Sequence, residues 1–256
     1  MKVVILAGGF GTRISEESYL KPKPMVEIGG MPILWHIMKY YNSFDFNEFI
    51  ICLGYKQYVI KEFFNDYFLH TSDVLFDLST GEMKVLNKNG ENFKVALIDT
   101  GLNTMTGGRV KRIKEHINED LFLLTYGDGV CDVDLKKLVE FHKSHNKICT
   151  ITTVSIAQTK GVLDISDDNQ VLEFREKSSS DEAIINGGYM VCDRRIFDYI
   201  ENDATVLEKD TFKKLVKDRQ LMSFFHNGFW QCMDTQREMK ILNKLWDENN
   251  APWKKW

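Results

Sequence analysis

The first residues with chemical potential lie near the N-terminus, where three glycines and an arginine follow a short apolar segment. Gly8, Gly9 and Gly11 allow a sharp backbone turn that exposes N–H groups to an anion, and the guanidinium of Arg13 adds a positive charge. A dinucleotide-binding fingerprint would need a further glycine where this chain has Ile14, and the Gly-Lys-Ser/Thr of a Walker loop is absent. Taken alone, the loop is equally typical of a plain strand-to-helix turn.

Two lysines follow, each directly before a proline, in Lys21-Pro22-Lys23-Pro24. A proline disfavours the helical backbone of the residue before it, so the pattern predicts extended backbone at Lys21 and Lys23. On such a stiff segment, the two ammonium groups can neutralise an anion held by the glycine loop. A solvated basic turn explains the same residues if they stand alone.

One aspartate is a candidate for binding a cation. Asp128 follows an apolar segment, Leu121–Tyr126, that predicts a strand, and open α/β sheets bind ligands at the carboxyl ends of their strands. A carboxylate there suits Mg²⁺, which takes one or two protein carboxylates and completes its shell with phosphate and water. Asp234 precedes Thr235, which forms a predicted capping box with Glu238, so by itself Asp234 is typical of an acid at a helix N-terminus.

These groups must be positioned by the surrounding elements, and the first half of the chain alternates strand and helix patterns. Strands covered on both faces are predicted for the continuous apolar segments at residues 2–7, 49–53, 95–99 and 121–126. Helical periodicity occurs at residues 32–41, 56–68 and 135–142. The alternation predicts an α/β fold with a Rossmann-like mixed, mainly parallel sheet flanked by helices.

The second half has a different pattern. Residues 146–234 contain short strand-like segments separated by polar turns, which predict a smaller mixed-sheet lobe. Two helices are predicted to follow these segments, near residues 194–201 and over residues 208–216. We therefore predict one domain over residues 1–256, in which residues 1–145 form the first part and residues 235–256 a C-terminal helix and tail. Trp253 and Trp256 make that tail a candidate interface.

Composition limits the partners and the compartment. The 33 Lys and Arg against 37 Asp and Glu give a net charge of -4, which argues against a nucleic-acid partner. Five scattered cysteines without a C-x-x-C pair argue against a disulfide framework or a zinc site and favour a reducing cytoplasm. The sequence has neither a signal-peptide pattern nor an apolar span of ~20 residues, so we expect no membrane association.

Together, two of these motifs resemble the signature of a known family. Residues 6–13 and 21–25 are similar to the phosphate loop and the lysine segment of the sugar-1-phosphate nucleotidylyltransferases. The resemblance continues along nearly the whole chain, through residues 25–30, 32–38, 54–56, 105–109, 125–130, 185–188, 229–231 and 233–235.

The resemblance implies roles for particular residues, all taken from the family pattern. It implies that Arg13, Lys23 and Asp128 are catalytic and that Asp128 and Asp234 bind Mg²⁺. It implies that the nucleotide contacts Leu6, Ala7, Gly8, Gly9, Phe10, Gly11, Thr12, Arg13, Lys23, Thr104, Arg109 and Asp128. It implies that residues 146–234 bind the sugar phosphate, through Glu176, Lys177, Asn186, Gly187 and Gly188.

The resemblance also implies a reaction: CMP is transferred from CTP to glucose 1-phosphate, giving CDP-glucose and pyrophosphate for CDP-deoxysugar and lipopolysaccharide synthesis. Thymidylyl members look like Gln-Pro-x-Gly-Leu-Ala where this chain has Met105–Arg109, which favours CTP. In-line attack by an ionised sugar-phosphate oxygen needs positioning and positive charge rather than a protein nucleophile. The family further implies a homo-oligomer, namely a hexamer.

Several alternatives stay open. The chain departs from the family pattern at Lys160, Ser178 and Cys232, and these departures concern the acceptor sugar more than the reaction. A different sugar 1-phosphate, thymidylyl or uridylyl transfer, and a non-catalytic nucleotide-binding regulatory subunit therefore remain alternatives. A nicotinamide dehydrogenase is disfavoured by Ile14.

Overall fold

The computed structural model describes residues 1–11, 21–87, 90–157, 162–165, 171–175 and 182–256. Its strands, in chain order, are β1 (Val3–Leu6), β2 (Glu27–Ile28), β3 (Met31–Pro32), β4 (Glu48–Leu53), β5 (Val74–Asp77), β6 (Glu82–Val85), β7 (Lys94–Asp99), β8 (Leu121–Tyr126), β9 (Gly129–Cys131), β10 (Cys149–Ala157), β11 (Val162–Ile165), β12 (Val171–Arg175), β13 (Glu182–Asp193), β14 (Leu221–His226) and β15 (Trp230–Cys232). Its α-helices are α1 (Ile33–Asn42), α2 (Gln57–Asn65), α3 (Tyr67–Thr71), α4 (Thr106–Arg112), α5 (Leu135–His145), α6 (Phe212–Lys217) and α7 (Gln236–Asp247).

A seven-stranded sheet with the order β14-β10-β13-β8-β1-β4-β7 lies at the centre. The β1 pairings with β4 and β8 are parallel, as are the β4–β7 and β10–β14 pairings, and β13 runs antiparallel to both of its neighbours. The other six strands therefore point the same way, and their carboxyl ends meet at one edge of the sheet. The predicted α/β fold with a mainly parallel sheet is confirmed.

The sheet is covered on both faces, as the apolar run of β1 predicts. Val3 and Ile5 pack with α1 residues such as Ile37, while Val4 and Leu6 pack on the opposite face with α4 and the turn after it. Because successive strand side chains point to opposite faces, a fully apolar strand needs a layer on each side. Burial in both layers holds β1, and with it Ala7 and Gly8 directly after it, in a fixed position.

Strands from the predicted smaller lobe extend the central sheet. β13 pairs with β8 through residues 190–193 and with β10 along most of its length, and β10 pairs with β14. Tyr189, Met190, Val191 and Cys192 are buried, so this part of β13 requires cover on both faces. The β11–β12 hairpin pairs separately from the central sheet.

Helices in the second half are less regular than the sequence pattern predicts. The predicted helix near residues 194–201 is a 3-10 helix, Arg194–Tyr199, in which the Asp193 side chain accepts from the Arg195 N–H. The helix predicted over residues 208–216 begins as a π-helix, Leu207–Thr211, and continues as α6. The predicted capping box of α7 is present, with Thr235 and Glu238 bonding each other's backbone N–H groups.

The C-terminal tail packs against its own chain. Trp253 is fully buried, stacks on Phe229 with ring centroids 5.5 Å apart, and contacts His36. Trp256 lies against Trp35. The expectation of an interface is therefore wrong for Trp253, because the indole fills a pocket beside α1. In the described part of the chain, no helix has the length and hydropathy needed to cross a membrane.

Candidate active site

A cleft of about 570 Å³ opens where β1 and β8 end. This is the edge at which open α/β sheets bind ligands. The structure brings together eleven residues from the predicted nucleotide and metal sites, which line this cleft: Leu6, Ala7, Gly8, Gly9, Phe10, Gly11, Lys23, Thr104, Arg109, Asp128 and Asp234. Thr12 and Arg13 lie outside the described residues.

The glycines of the loop have different surroundings. A Cβ atom on Gly8 would lie 2.3 Å from Nη1 of Arg109, whereas a Cβ on Gly9 would have no heavy atom within 4 Å. The Gly8 carbonyl accepts from Nη2 of Arg109 at 2.9 Å and from the Tyr55 N–H at 3.1 Å. Gly8 is thus required by packing within the protein, while Gly9 faces open space where a ligand can approach its backbone.

Arg109 is buried in the wall of the cleft, where its side chain connects several backbone segments. The residue is 4% exposed, and its guanidinium donates to the carbonyls of Gly8, Leu53, Gly101 and Leu102 and to the Thr100 hydroxyl. Burial lowers the pKa of Arg109, but an arginine remains charged. Arg109 therefore ties the glycine loop to the ends of β4 and β7 and brings a positive charge to the cleft wall.

Lys23 bridges the two predicted metal ligands. Its ammonium nitrogen lies 2.5 Å from Oδ2 of Asp128 and also donates to Oδ1 of Asp234. Burial alone would lower the pKa of Lys23, but the two carboxylates outweigh this effect and raise the pKa above its usual value. Lys23 is thus a charged ammonium group beside the glycine loop.

The two lysines of the segment have separate surroundings. Lys21 is half-exposed and pairs with the exposed Glu27, away from the cleft lining. The prediction of extended backbone at Lys23 is wrong, because Lys23–Met25 is a 3-10 helix closed by the Met25 N–H donating to the Pro22 carbonyl at 2.8 Å. This turn directs Lys23 into the cleft.

Asp128 and Asp234 are delivered by elements that pair with each other. Asp128 lies between β8 and β9, and its carbonyl accepts from the Met233 N–H at 2.8 Å. β9 pairs with β15, which ends at Cys232, directly before Met233. Asp234 then precedes α7, and its N–H donates to Glu238 at 2.7 Å. Asp234 thus lies both at the N-terminus of α7 and in the lining of the cleft.

The described members of the predicted sugar-phosphate set, Asn186, Gly187 and Gly188, do not line the cleft. Two of them contact Tyr126 instead: the Asn186 side chain hydrogen-bonds its hydroxyl, and a Cβ on Gly188, whose φ is +82°, would lie 2.7 Å from Cδ2 of the ring. The Gly187 carbonyl accepts from the Trp230 indole at 2.7 Å. Glu176 and Lys177 lie outside the described residues.

Sequence reasoning assigned no role to several residues that line the cleft. They are Pro24, Leu102, Asn103, Met105, Thr106, Tyr126 and Gly127. All of them lie within two positions of a predicted site residue, so proximity in sequence to those residues was the available signal. Leu102 and Met105 are each half-exposed, which gives the cleft an apolar rim.

This fold and this site are those of a nucleotide-transferring enzyme, and comparison with known proteins agrees. The family model described as "Nucleotidyl transferase" matches residues 2–237. HddC from Yersinia pseudotuberculosis, solved in complex with GMP-PN, is 27% identical with a TM-score of 0.70, over 96% of this chain and 99% of that chain.

Among curated relatives, the glucose-1-phosphate cytidylyltransferase of Salmonella typhi is 52% identical over the full length of both chains. The probable glucose-1-phosphate cytidylyltransferase of Bacillus subtilis is 42% identical, also over both full lengths. The chain therefore belongs to the nucleotidyl transferase family and, within it, to the glucose-1-phosphate cytidylyltransferases. The predicted family is confirmed.

Proposed function

We propose that this chain transfers CMP from CTP to α-D-glucose 1-phosphate, giving CDP-glucose and pyrophosphate. The observation that carries the proposal is the Lys23 ammonium held between Asp128 and Asp234 beside the glycine loop. Such a group offsets the charge of a reacting phosphate. The full-length identity to the Salmonella and Bacillus cytidylyltransferases supports this pair of substrates.

The reaction requires placement of two substrates and compensation of charge. An ionised phosphate oxygen of the sugar 1-phosphate bonds to the α-phosphorus of CTP, and the bond from that phosphorus to the bridging oxygen of the leaving pyrophosphate breaks. Because the nucleophile is already ionised, the protein supplies no base. Lys23 offsets the developing negative charge, and the backbone at Gly9 approaches the phosphates. We assign Thr12 and Arg13 to the same phosphates.

A divalent cation fits the two carboxylates. One ammonium nitrogen contacts both Asp128 and Asp234, so their oxygens converge on a single point at the cleft. Two carboxylates are a suitable hard-oxygen donor set for Mg²⁺. Bound there, Mg²⁺ would offset negative charge on the triphosphate.

We assign the sugar phosphate to the side of the cleft next to Tyr126. Gly188 packs against that ring, the Asn186 side chain hydrogen-bonds its hydroxyl, and Glu176 and Lys177 directly follow β12 in the chain. Some of these residues would then act on the sugar directly, and Asn186 and Gly188 would act through the wall formed by Tyr126.

We further propose that the chain forms homo-oligomers. The β5–β6 hairpin and its flanks expose apolar side chains on both of their faces: Leu75, Phe76, Leu78, Met83 and Leu86 are each about half-exposed or more. A concentration of exposed apolar side chains in one segment is typical of protein interfaces. The molar mass measured in solution by light scattering tests this, and a monomer at all concentrations would contradict it.

A substrate panel tests the reaction. The chain is mixed with Mg²⁺, each of CTP, UTP, dTTP and GTP, and either glucose 1-phosphate or mannose 1-phosphate, and pyrophosphate release is measured. We expect turnover to be fastest with CTP and glucose 1-phosphate. A faster reaction with another nucleotide, or no reaction with this pair, would overturn the proposal.

A further inference from the structure

A carboxylate outside the cleft holds two residues that line it. Glu208 accepts from the Tyr126 hydroxyl through Oε1 and from the Thr106 hydroxyl through Oε2, the latter at 2.8 Å. Tyr126 and Thr106 line the cleft, whereas Glu208 does not. Glu208 therefore joins two parts of the wall that are distant in the chain, the end of β8 and the first residue of α4.

The segment that carries Glu208 is docked closely onto α4. The Met105 N–H donates to the Asp203 carbonyl at 2.9 Å, and the Gly108 N–H donates to the Thr205 carbonyl at 3.2 Å. A Cβ on Gly107 would lie 2.8 Å from the Thr205 carbonyl oxygen. Gly107 and Gly108 thus allow the backbone of residues 203–207 to approach α4 closely. The N–H groups of Met105 and Gly108 are already hydrogen-bonded within the protein.

The contact at Thr106 continues into the same segment. The Leu207 N–H donates to Oγ1 of Thr106 at 2.9 Å, so this hydroxyl accepts one bond and donates one to Glu208. Glu208 lies in the π-helix Leu207–Thr211, and π-helical turns occur frequently at functional sites. The first turn of α4 is therefore fixed by both backbone and side chain.

The contact at Tyr126 reaches the other side of the cleft. Its ring packs on Gly188, and the Asn186 side chain also hydrogen-bonds the hydroxyl. Burial and then the Glu208 carboxylate raise the pKa of Tyr126, so the phenol stays protonated and donates. Removal of Glu208 would leave this buried hydroxyl without its acceptor.

We propose that Glu208 is a positioning residue that sets the α4 wall of the cleft, through Thr106, relative to the β8 wall, through Tyr126. Given the proposed function, these are the nucleotide side and the sugar-phosphate side. Glu208 touches neither substrate, and its loss would disturb the binding of both at once.

The test uses the full chain with the variants Glu208→Ala, Glu208→Gln, Tyr126→Phe and Thr106→Val. We measure kcat and the KM of each substrate, and CTP affinity by calorimetry without the sugar. Loss of a hydrogen bond to a charged group predicts a rise of about tenfold in both KM values for Glu208→Ala, with a smaller change in kcat. Glu208→Gln keeps one acceptor and should recover part of the loss.

Tyr126→Phe and Thr106→Val each remove one of the two hydroxyls that Glu208 holds, so they separate its two hydrogen bonds. Tyr126→Phe should raise mainly the KM of glucose 1-phosphate, and Thr106→Val mainly that of CTP. In the Tyr126→Phe background, Glu208→Ala should add little to the KM of glucose 1-phosphate, because the hydroxyl it holds is gone. Glu140→Gln, at an exposed position of α5, is the matched control.

Two results would overturn the proposal: both KM values within twofold of wild type in Glu208→Ala, or additive effects of Glu208→Ala and Tyr126→Phe. If Glu208→Ala does not fold, Glu208→Gln is combined with Tyr126→Phe and with Thr106→Val instead. Additive effects on the KM values in these double variants would then overturn the proposal. A wild-type chain that is inactive with CTP and glucose 1-phosphate refutes the proposed function instead. In that case, calorimetry measures the affinity of the wild type and of Glu208→Ala for the nucleotide that reacts fastest in the panel. A lower affinity of Glu208→Ala supports the positioning role of Glu208, and an equal affinity refutes it.

Discussion

The ammonium nitrogen of Lys23 lies 2.5 Å from Oδ2 of Asp128, although the two residues are 105 positions apart in the chain. We predict that Lys23→Ala lowers kcat by at least about 100-fold, since it removes the charge that we propose acts on the reacting phosphates. Pyrophosphate release measures the effect. Lys21→Ala is the matched control, because Lys21 belongs to the same segment but pairs with Glu27. Near-normal turnover of a folded Lys23→Ala enzyme would refute the role of this ammonium group.

The carboxylates predict a dependence on divalent cations. Asp128→Asn and Asp234→Asn each remove one anionic donor, so each should raise the Mg²⁺ concentration needed for half-maximal activity by about tenfold or more. Activity titrated against Mg²⁺ gives this value, and EDTA should abolish turnover in the wild type. Asp45→Asn, at an exposed site, should leave the titration unchanged. An unchanged Mg²⁺ requirement in both variants would show that Mg²⁺ does not bind at these two carboxylates.

Gly8 and Gly9 should respond differently to the same substitution. Gly8→Ala forces a Cβ into the Arg109 guanidinium, so it should lower the free energy of unfolding by about 1–3 kcal/mol. Gly9→Ala has room in the protein, so stability should change little while the KM of CTP rises, because the backbone can no longer approach a phosphate closely. Denaturant unfolding and steady-state kinetics measure the two effects. Equal stability losses would contradict the distinction.

Stability should depend on pH through His36. The ring is fully buried, with Nε2 2.7 Å from the Ile28 carbonyl oxygen, and burial lowers its pKa to about 4. Because the unfolded state binds a proton near pH 6.5 and the folded state does not, the free energy of unfolding should fall as pH drops from about 6.5 to 4. One such group contributes on the order of 3 kcal/mol over this window.

The variant His36→Gln tests this linkage, because glutamine can keep the bond to Ile28 without titrating in this range. Its free energy of unfolding should vary less steeply with pH than that of the wild type, as measured by urea unfolding between pH 4 and 7. His116→Gln, at an exposed position, should retain the wild-type slope. A His36→Gln slope equal to that of the wild type would assign the pH dependence to other groups.

Local patterns predicted much of the fold. The apolar run of β1, the periodicity of α1 and the capping box of α7 depend on neighbouring residues, and the structure confirms all three. The pattern did not reveal that β13 joins β8. Strand pairing across a sheet depends on contacts between distant segments, which hydrophobic periodicity does not specify.

By itself, the sequence determined the family, the α/β class and eleven of the residues that line the cleft, because these follow from residue types at short spacings within motifs. The tertiary structure alone decided what each residue contacts. It turned Lys23 towards carboxylates 105 and 211 positions away, surrounded Arg109 with backbone oxygens, and aimed Glu208 at Tyr126 and Thr106. Such contacts arise when packing brings distant elements to one edge of the sheet.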